Sequence, residues 1–216
     1  MPSYRTALAA GGLAIAVALP LGAAAQNFKA KSAGDVVLRA RTIRIVPAES
    51  SSVGTIGGDV EVDEAFTTEL DFTYFATDNI GFELIAATAN HDVELENSAA
   101  GDLNLGDVWI LPPTLTAQYH FRPAQRISPY LGAGVNWTLF YGADSGDAND
   151  IDYENAVGPA FQAGVDVAIS GNWSLNFDVK KIFLDTTAAV NVGGTTVDAD
   201  VDIDPWIFGI GVGYRF

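Results

Sequence analysis

The residues of this chain with the clearest chemistry are charged side chains that stand inside alternating apolar segments. Both signs are present: Arg39, Arg41, Lys180 and Arg215 against Glu69, Asp71, Glu83, Asp166 and Asp178. Successive side chains of a strand point to opposite faces, so each segment would place its charges on one face and its apolar residues on the other. Charges withdrawn from water are stable only when they are paired. We therefore expect these residues to pair with one another and to plug the interior of the fold.

No catalytic constellation accompanies these charges. His91 and His120 each stand without a second imidazole nearby in sequence, and no serine motif accompanies His120. A nucleophile needs an adjacent base, and a metal site needs clustered ligands. The chain has no cysteine, which excludes disulfides and thiolate sites. We therefore expect neither an enzyme nor a protein that holds a metal or another cofactor.

Two acidic runs, at 144–154 and 198–204, are the remaining candidates for ion binding. Neither run has the spacing of an EF-hand loop. The main interpretation is a solvated loop surface. The alternative is loose binding of Ca²⁺ or Mg²⁺, since hard cations prefer carboxylate oxygens.

Composition points to a membrane protein without helical spans. The 216 residues carry a formal net charge of −16, which argues against nucleic acid as a partner. The mean hydropathy is +0.19, yet no segment beyond the N-terminus is apolar for the roughly 20 residues that a transmembrane helix needs. Hydrophobicity spread over short alternating segments is typical of transmembrane β-barrels.

The last residues of the chain show this alternation most clearly. Apolar and aromatic residues occupy every second position, namely Trp206, Phe208, Ile210, Val212, Tyr214 and Phe216. One face of such a strand is suited to lipid. A chain that ends on this strand with a terminal Phe216 resembles bacterial outer-membrane proteins. The resemblance implies that the barrel-assembly machinery recognises Phe216.

The N-terminus is predicted to be a secretory signal peptide. Arg5 supplies a positive start, residues 8–21 are apolar but interrupted by glycines and Pro20, and three alanines at 23–25 offer a cleavage site. The apolar run is shorter than a transmembrane helix. We therefore expect residues 1–25 to be removed and residues 26–216 to form one outer-membrane β-barrel.

The order of strands and connections predicts eight membrane-spanning strands. Alternating segments cover residues 35–46, 66–76, 80–90, 108–121, 129–141, 156–170, 173–192 and the C-terminal strand. Short turns are expected at 77–79, 122–128 and 171–172, and long loops at 47–65, 91–106, 142–155 and 193–199. Short periplasmic turns that alternate with long extracellular loops are typical of outer-membrane barrels. The predicted fold is an all-β, eight-stranded antiparallel transmembrane β-barrel.

Five sequence blocks, in order along the mature chain, resemble the outer-membrane protein W (OmpW) family. The most specific block reads Leu-Pro-Pro-Thr-Leu-Thr-Ala-Gln at 111–118, and the others lie at 76–84, 129–136, 184–188 and 204–216. The resemblance implies an eight-stranded barrel in the bacterial outer membrane with a narrow, largely hydrophobic channel. The family, with its alkane-uptake relatives, implies passive uptake of small hydrophobic molecules. The alternative is a structural or receptor barrel of the envelope without significant transport.

The resemblance also implies a hydrophobic pair that constricts the channel. Ile85 matches one partner and keeps its apolar character. The other partner is an aromatic residue in the family, and it falls at Lys180 here. A lysine at this position could pair with Asp178 or Glu83, and it would either close the lumen more tightly or change what passes.

A solute that enters such a barrel needs an exit other than the far end. The interior of an eight-stranded barrel is only just wide enough for side chains. Pro112 and Pro113 lie within a predicted strand, and proline cannot donate a ladder hydrogen bond. We expect the wall to be weakened or bulged there, and an apolar solute to leave laterally into the bilayer. The expected partners are therefore outer-membrane lipid, lipopolysaccharide and small hydrophobic solutes.

Overall fold

The computed structural model describes residues 28–54, 56–99 and 101–216, and the predicted signal peptide at 1–25 lies outside these residues. The described chain holds no helix that is long and apolar enough to cross a membrane. Its strands are β1 (Val36–Val46), β2 (Ser50–Val53), β3 (Asp59–Val62), β4 (Ala65–Phe75), β5 (Ile80–Ala87), β6 (Ala89–Glu96), β7 (Leu103–Leu111), β8 (Thr114–His120), β9 (Ile127–Tyr141), β10 (Asp150–Tyr153), β11 (Ala156–Ser170), β12 (Trp173–Ile182), β13 (Asp185–Val192), β14 (Thr195–Asp202) and β15 (Trp206–Arg215).

Eight of these strands close into an antiparallel barrel in the order β1, β4, β5, β8, β9, β11, β12 and β15. The last strand closes the barrel by pairing with the first, from Val37↔Arg215 to Val46↔Trp206. Closure removes free sheet edges, whose unpaired backbone groups would each cost several kcal/mol in lipid. The predicted eight-stranded antiparallel barrel is confirmed.

The barrel carries its apolar face outside and its polar face inside. On β4, Phe66 and Leu70 are 71% and 61% exposed, whereas Glu69 and Asp71 are each 2% exposed. The same alternation of exposed and buried residues recurs along β1 and β8. Because lipid offers no hydrogen-bond partner, polar side chains of the spanning strands must point into the barrel.

Exposed aromatic side chains mark both ends of the lipid-facing band. Near the chain termini, Tyr214 packs edge to face with Trp173 and Phe216, with ring centroids 4.9 Å apart in each pair. Trp109 and Tyr141 lie together at the opposite end, where β7 pairs with β9. Aromatic girdles of this kind lie at the two membrane interfaces. Strands β2, β3, β6, β10, β13, β14 and most of β7 therefore stand outside the bilayer, and we call them the outer extension.

The outer extension corrects the predicted loops. The loop expected at 91–106 is a hairpin of β6 and β7, and the loops expected at 47–65, 142–155 and 193–199 also contain strand residues. The strand expected over 173–192 is interrupted at 183–184. These strands stand in water on one side, so buried apolar residues alternate with exposed carboxylates. The many charged residues of these segments therefore resembled the composition of a loop, although apolar and charged residues still alternated as they do in a strand.

The short turns at the other end of the barrel lie close to their predicted positions. The turn between β11 and β12 consists of Gly171 and Asn172, and Gly171 adopts a φ of 56° that favours glycine. The turn between β4 and β5 covers residues 76–79. The connection expected at 122–128 is slightly shorter, because β9 begins at Ile127.

Gly211→Ala should destabilise the barrel, whereas Gly209→Ala should have little effect. A Cβ atom at Gly211 would lie 2.1 Å from the carbonyl oxygen of Ala40 on the paired strand β1, whereas at Gly209 the nearest atom is Arg41 Cδ at 3.3 Å. A paired backbone cannot move aside as a flexible side chain can, so we expect Gly211→Ala to lower the free energy of unfolding by about 1–3 kcal/mol. Urea unfolding in phospholipid vesicles measures both variants. Equal losses would contradict this explanation.

Candidate functional site

The interior of the barrel near the chain termini is filled with paired charges, which we call the lumen network. Its charged members on the barrel strands are Arg39, Arg41, Glu69, Asp71, Glu83, Asp166, Asp178, Lys180 and Arg215, all of them buried. The structure thus brings the sequence-predicted charged residues into one interior. The strands that carry these residues are spread around the barrel wall, so the ion pairs between them run across the lumen and not along its axis.

Arg39 joins its own strand, β1, to three other strands of the barrel. Its Nη1 lies 3.0 Å from Glu83 Oε1, and its Nη2 lies 2.9 Å from Asp166 Oδ2. Nη1 also donates to Thr73 Oγ1. A planar guanidinium with five donors can hold several acceptors at once. Arg39 therefore ties β4, β5 and β11 to β1.

Arg41 stands at the centre of the carboxylates. Its Nη2 donates to Glu83 Oε1 at 2.9 Å, and its Nε lies 2.8 Å from Asp71 Oδ2. Its Nη1 lies 3.0 Å from Asp178 Oδ1 and 3.2 Å from Glu69 Oε1. Four carboxylates thus surround one guanidinium. Removing this cation would leave several buried charges without compensation, which is strongly destabilising.

Lys180 is part of the same network. Its Nζ lies 2.7 Å from Glu69 Oε1 and 3.0 Å from Asp178 Oδ1. Of the two partners suggested by the sequence, Asp178 is observed, whereas Glu69 takes the place of Glu83. Lys180 lies on β12 and Glu69 on β4, so this ion pair spans the lumen.

Neutral polar side chains donate further hydrogen bonds to two of the carboxylates, Glu83 and Asp178. Gln162 donates to Glu83 Oε2 at 2.8 Å and to Asp178 Oδ2 at 2.9 Å, and Gln118 also donates to Glu83 Oε2, at 2.6 Å. The Tyr130 hydroxyl donates to Asp178 Oδ2 at 2.7 Å. The sequence analysis did not assign Gln118 and Gln162 to the interior charges. Their alternation with outward apolar residues was the available signal.

A segment before β1 enters the end of the barrel and adds a further cation. Lys31 Nζ lies 2.7 Å from Asp166 Oδ2 and 3.0 Å from Ser128 Oγ. It also lies 2.8 Å from His120 Nδ1, and because an ammonium can only donate, Nδ1 is the acceptor and Nε2 carries the ring proton. Arg215 donates to the carbonyl of Lys29 in this segment. The sequence analysis missed Lys31, because the residue lies outside any alternating segment.

The two residues expected to constrict the channel, Ile85 and Lys180, are both buried in the interior, each 2% exposed. Ile85 pairs with Asp71 on one side and with Thr114 on the other, so its neighbours in the wall are polar. Lys180 is held by carboxylates. That these two residues gate the channel stays a prediction.

An apolar cavity of about 80 Å³ lies beyond the lumen network, on the side away from the termini, and we call it the outer cavity. Its apolar lining comes from the outer extension and from the adjoining ends of the barrel strands, and includes Ile45, Val60, Val93, Leu105, Val108, Ile182, Leu184, Val190, Val201 and Ile207. Among the described residues that line it, none is an aspartate, glutamate, lysine or arginine. The interior therefore changes from ionic to hydrocarbon-like along the axis of the barrel.

Pro112 and Pro113 separate β7 from β8 without shifting the register. On the β9 side, the ladders before and after the prolines share one register. The Trp137 amide donates to the Pro113 carbonyl at 2.9 Å within this interval. The wall toward β9 is therefore continuous, and no residue is inserted as a bulge.

The ladder is interrupted on the other side of the prolines. Pairing of β5 with β8 ends at Ile85, and pairing of β6 with β7 begins at Ala89, so residues 86–88 have no ladder partner there. Proline has no amide hydrogen to donate, which accounts for the loss. Pro112 also lines the outer cavity, so the interruption adjoins that cavity.

A second interruption lies on the opposite edge of the same stretch. Pairing with β4 ends at Ala87, and pairing with β3 begins at Val93. One side chain bridges part of this interval, since Thr67 Oγ1 on β4 donates to the Thr88 carbonyl at 2.7 Å. On the proline side, Thr88 Oγ1 donates to the Ile110 carbonyl of β7 at 3.0 Å. We call residues 86–88 the wall gap, since they lack ladder partners on the side of the prolines and Thr88 also lacks one on the β4 side.

The sequence of this chain is similar to those of outer-membrane proteins. A sequence model of the OmpW family matches residues 32–216. An uncharacterized outer-membrane protein, y4mB, of Sinorhizobium fredii is 43% identical over 183 residues, which cover 83% of this chain and 79% of that protein. Outer membrane protein W of Escherichia coli is 39% identical over 197 residues, which cover 87% of this chain and 91% of that protein.

The fold is similar to those of solved outer-membrane barrels. OprG of Pseudomonas aeruginosa superposes with a TM-score of 0.81 at 31% identity, covering 87% of this chain and 98% of that one. Outer membrane protein AlkL, solved in lipid bilayers, superposes with a TM-score of 0.69 at 25% identity, covering 100% of this chain and 97% of that one. The names of these relatives identify them as outer-membrane proteins.

Lys180→Met should destabilise the barrel by about 3 kcal/mol, because it removes a cation from two buried carboxylates. We expect the lower end of the cost of breaking a buried pair, since Arg41 still contacts both Glu69 and Asp178. The matched control is Lys29→Met, whose side chain is 52% exposed and whose loss should be below about 1 kcal/mol. Urea unfolding in phospholipid vesicles measures both. A loss for Lys180→Met as small as that of the control would show that the network contributes little stability.

Proposed function

Because the chain belongs to the OmpW family of outer-membrane proteins, we propose that it is a passive channel for the uptake of small hydrophobic molecules. It lies in the outer membrane, as its named relatives do. The observation that carries the proposal is the outer cavity, whose described lining contains no aspartate, glutamate, lysine or arginine. A pocket with hydrocarbon-like walls on the outer side of the barrel favours apolar solutes over water and ions.

The lumen network requires that such a solute leave before it reaches the far end of the barrel. Arg39, Arg41 and Lys180 are held by carboxylates on other strands. Passing an apolar solute would separate buried ion pairs without replacing their contacts, which is costly. We propose that the network acts as a plug and that the solute path turns toward the wall above it.

The wall gap is the proposed lateral exit. Residues 86–88 lack ladder partners on the side of the prolines, and Pro112 lines the outer cavity. On the other edge, the bond from Thr67 to Thr88 stands where ladder bonds are missing. Separating strands here disrupts fewer backbone hydrogen bonds than elsewhere in a fully paired ladder. An apolar solute that passes through it meets the hydrocarbon of the bilayer.

One observation favours the alternative of a structural or receptor barrel without transport. The lumen network links strands across the interior, and residues 28–35 add to it at the end near the termini through Lys31 and Asp35. A barrel closed in this way is stiff, and its outer extension presents acidic strands to the cell exterior. The two functions differ in whether solute passes, so uptake measurements separate them.

Ala188→Phe should lower solute uptake toward the level of cells without the gene, whereas Ala189→Phe should leave uptake unchanged. Ala188 is buried and lines the outer cavity, so a phenyl ring would fill it, whereas Ala189 lies on the opposite face of β13. Uptake of radiolabelled naphthalene is measured in cells that lack the gene and carry each variant. If the wild-type gene gives no more uptake than an empty vector, the structural or receptor function is supported instead.

The double substitution Pro112→Val, Pro113→Thr should slow the release of solute into the bilayer, because it restores amide donors opposite the wall gap. The control is Pro159→Val, since Pro159 lies in an intact ladder and pairs with Val135. Transfer of a fluorescent alkane-like probe from the protein to vesicle lipid gives the rate. A native rate in the double variant would count against an exit at the wall gap.

A further inference from the structure

The outer cavity is apolar except for a few polar side chains, and one of these has a hydroxyl group without a hydrogen-bond partner. Within the described part of the chain, the Tyr153 hydroxyl is buried and has no hydrogen-bond partner. Tyr153 lines the outer cavity. Buried polar groups in native proteins are nearly always satisfied, so a buried hydroxyl left over beside a cavity points to a ligand that satisfies it.

The hydrogen-bond donors of the other polar side chains in the cavity lining are already bonded to acceptors of the protein. Thr138 Oγ1 donates to Asn136 Oδ1 at 2.8 Å, and Thr186 Oγ1 donates to the Glu154 carbonyl at 2.7 Å. His91 Nδ1 lies 2.8 Å from the Asp63 carbonyl oxygen, which can only accept, so this nitrogen carries the ring proton. Among the described residues of this lining, the Tyr153 hydroxyl is thus the side-chain donor that remains free for a solute.

The position of Tyr153 is well determined by the surrounding structure. Its backbone pairs with Ala188 of β13, which also lines the cavity. Its ring stacks on Phe140, with centroids 5.5 Å apart and an interplanar angle of 18°. Asn155, two residues later, accepts a hydrogen bond from the Phe140 amide at 3.0 Å. The ring is therefore held in place before any solute arrives, which lowers the entropic cost of binding.

The hydroxyl is a donor at physiological pH, and the cavity carries no charge there. Burial raises the pKa of Tyr153 to about 12, so the phenol keeps its proton. Burial also lowers the pKa of His91 below its ordinary value, so the imidazole is neutral. Because the described residues of the lining include no other ionisable side chain, a charged solute would lose its hydration without gaining a counter-ion.

We propose that the outer cavity selects neutral solutes that carry one hydrogen-bond-accepting oxygen on an apolar chain, such as ketones and esters, and that Tyr153 donates to that oxygen. This inference rests on the proposed channel function and names its preferred solute class. A hydrocarbon of the same length fills the cavity but leaves the hydroxyl unpaired. A solute with several polar groups finds too few partners in the lining. Tyr153 therefore determines specificity, while the apolar walls supply the general affinity.

Isotope-edited infrared spectroscopy tests the contact directly. Hexan-2-one labelled with ¹³C at its carbonyl is added to the full mature protein in phospholipid vesicles, as the wild type, Tyr153→Phe and the control Tyr74→Phe, whose ring faces lipid. A hydrogen bond lowers the carbonyl stretching frequency. The wild type and Tyr74→Phe should therefore show a lower-frequency band that Tyr153→Phe lacks. Identical spectra for all three proteins would overturn the inference.

Uptake measurements distinguish failure of this inference from failure of the channel. Uptake of hexan-2-one and of hexane is compared in cells that lack the gene and carry each variant. Tyr153→Phe should lower the ratio of ketone to hexane uptake by about threefold to tenfold, the value of one neutral hydrogen bond. An unchanged ratio, with uptake of both solutes retained, overturns the selectivity and leaves the channel in place. If the wild type raises the uptake of neither solute, the channel proposal fails, and the infrared band still confirms or refutes the contact with Tyr153.

Discussion

Every backbone amide and carbonyl within the bilayer must find its partner inside the protein, and this requirement organises the whole molecule. It closes the sheet by pairing the last strand with the first, and closure in turn sends apolar side chains to lipid and polar ones inward. The same requirement explains why side-chain hydrogen bonds are found at the wall gap. Where ladder pairs are missing around Thr88, hydroxyl groups of Thr67, Thr88 and Tyr141 provide hydrogen bonds in their place.

The narrow interior that results from closure holds side chains and little else. The charges there contact opposite charges on several strands, as Arg41 does with Glu83 and Asp178. Moving one of these side chains alone would leave a buried charge unpaired, so the network resists opening by small motions. Lys180 occupies the position where the family resemblance places an aromatic gate residue, and it is bound into this network. A path that leaves the barrel above the network is consistent with that rigidity.

The side chains of the outer extension are arranged in the opposite way, because water and not lipid surrounds it. Its strands expose carboxylates and turn apolar residues such as Val93, Leu95 and Val190 inward. The barrel therefore continues beyond the membrane with its polarity reversed, polar outside and apolar inside. This reversal creates the outer cavity next to the wall gap. It also places the Tyr153 hydroxyl in an apolar lining, where one oxygen atom of a solute can accept its hydrogen bond.

Period-two alternation predicted the eight spanning strands and the inward phase of Glu69, Asp71 and Glu83, because contact with lipid imposes one pattern on every strand. Together with the short turns and long loops, it also predicted the antiparallel closure. Alternation alone did not show that the strands continue into the outer extension, since exposed carboxylates there resemble a loop. Nor did it show which charges meet, because the pairing of Lys180 with Glu69 depends on strands 111 residues apart coming together across the lumen. The entry of Lys31 into the barrel, the wall gap and the unused hydroxyl of Tyr153 likewise arise from contacts between distant strands. Side-chain types and their spacing therefore determined the barrel and its orientation toward lipid, whereas its contents were decided only when closure brought those distant residues together.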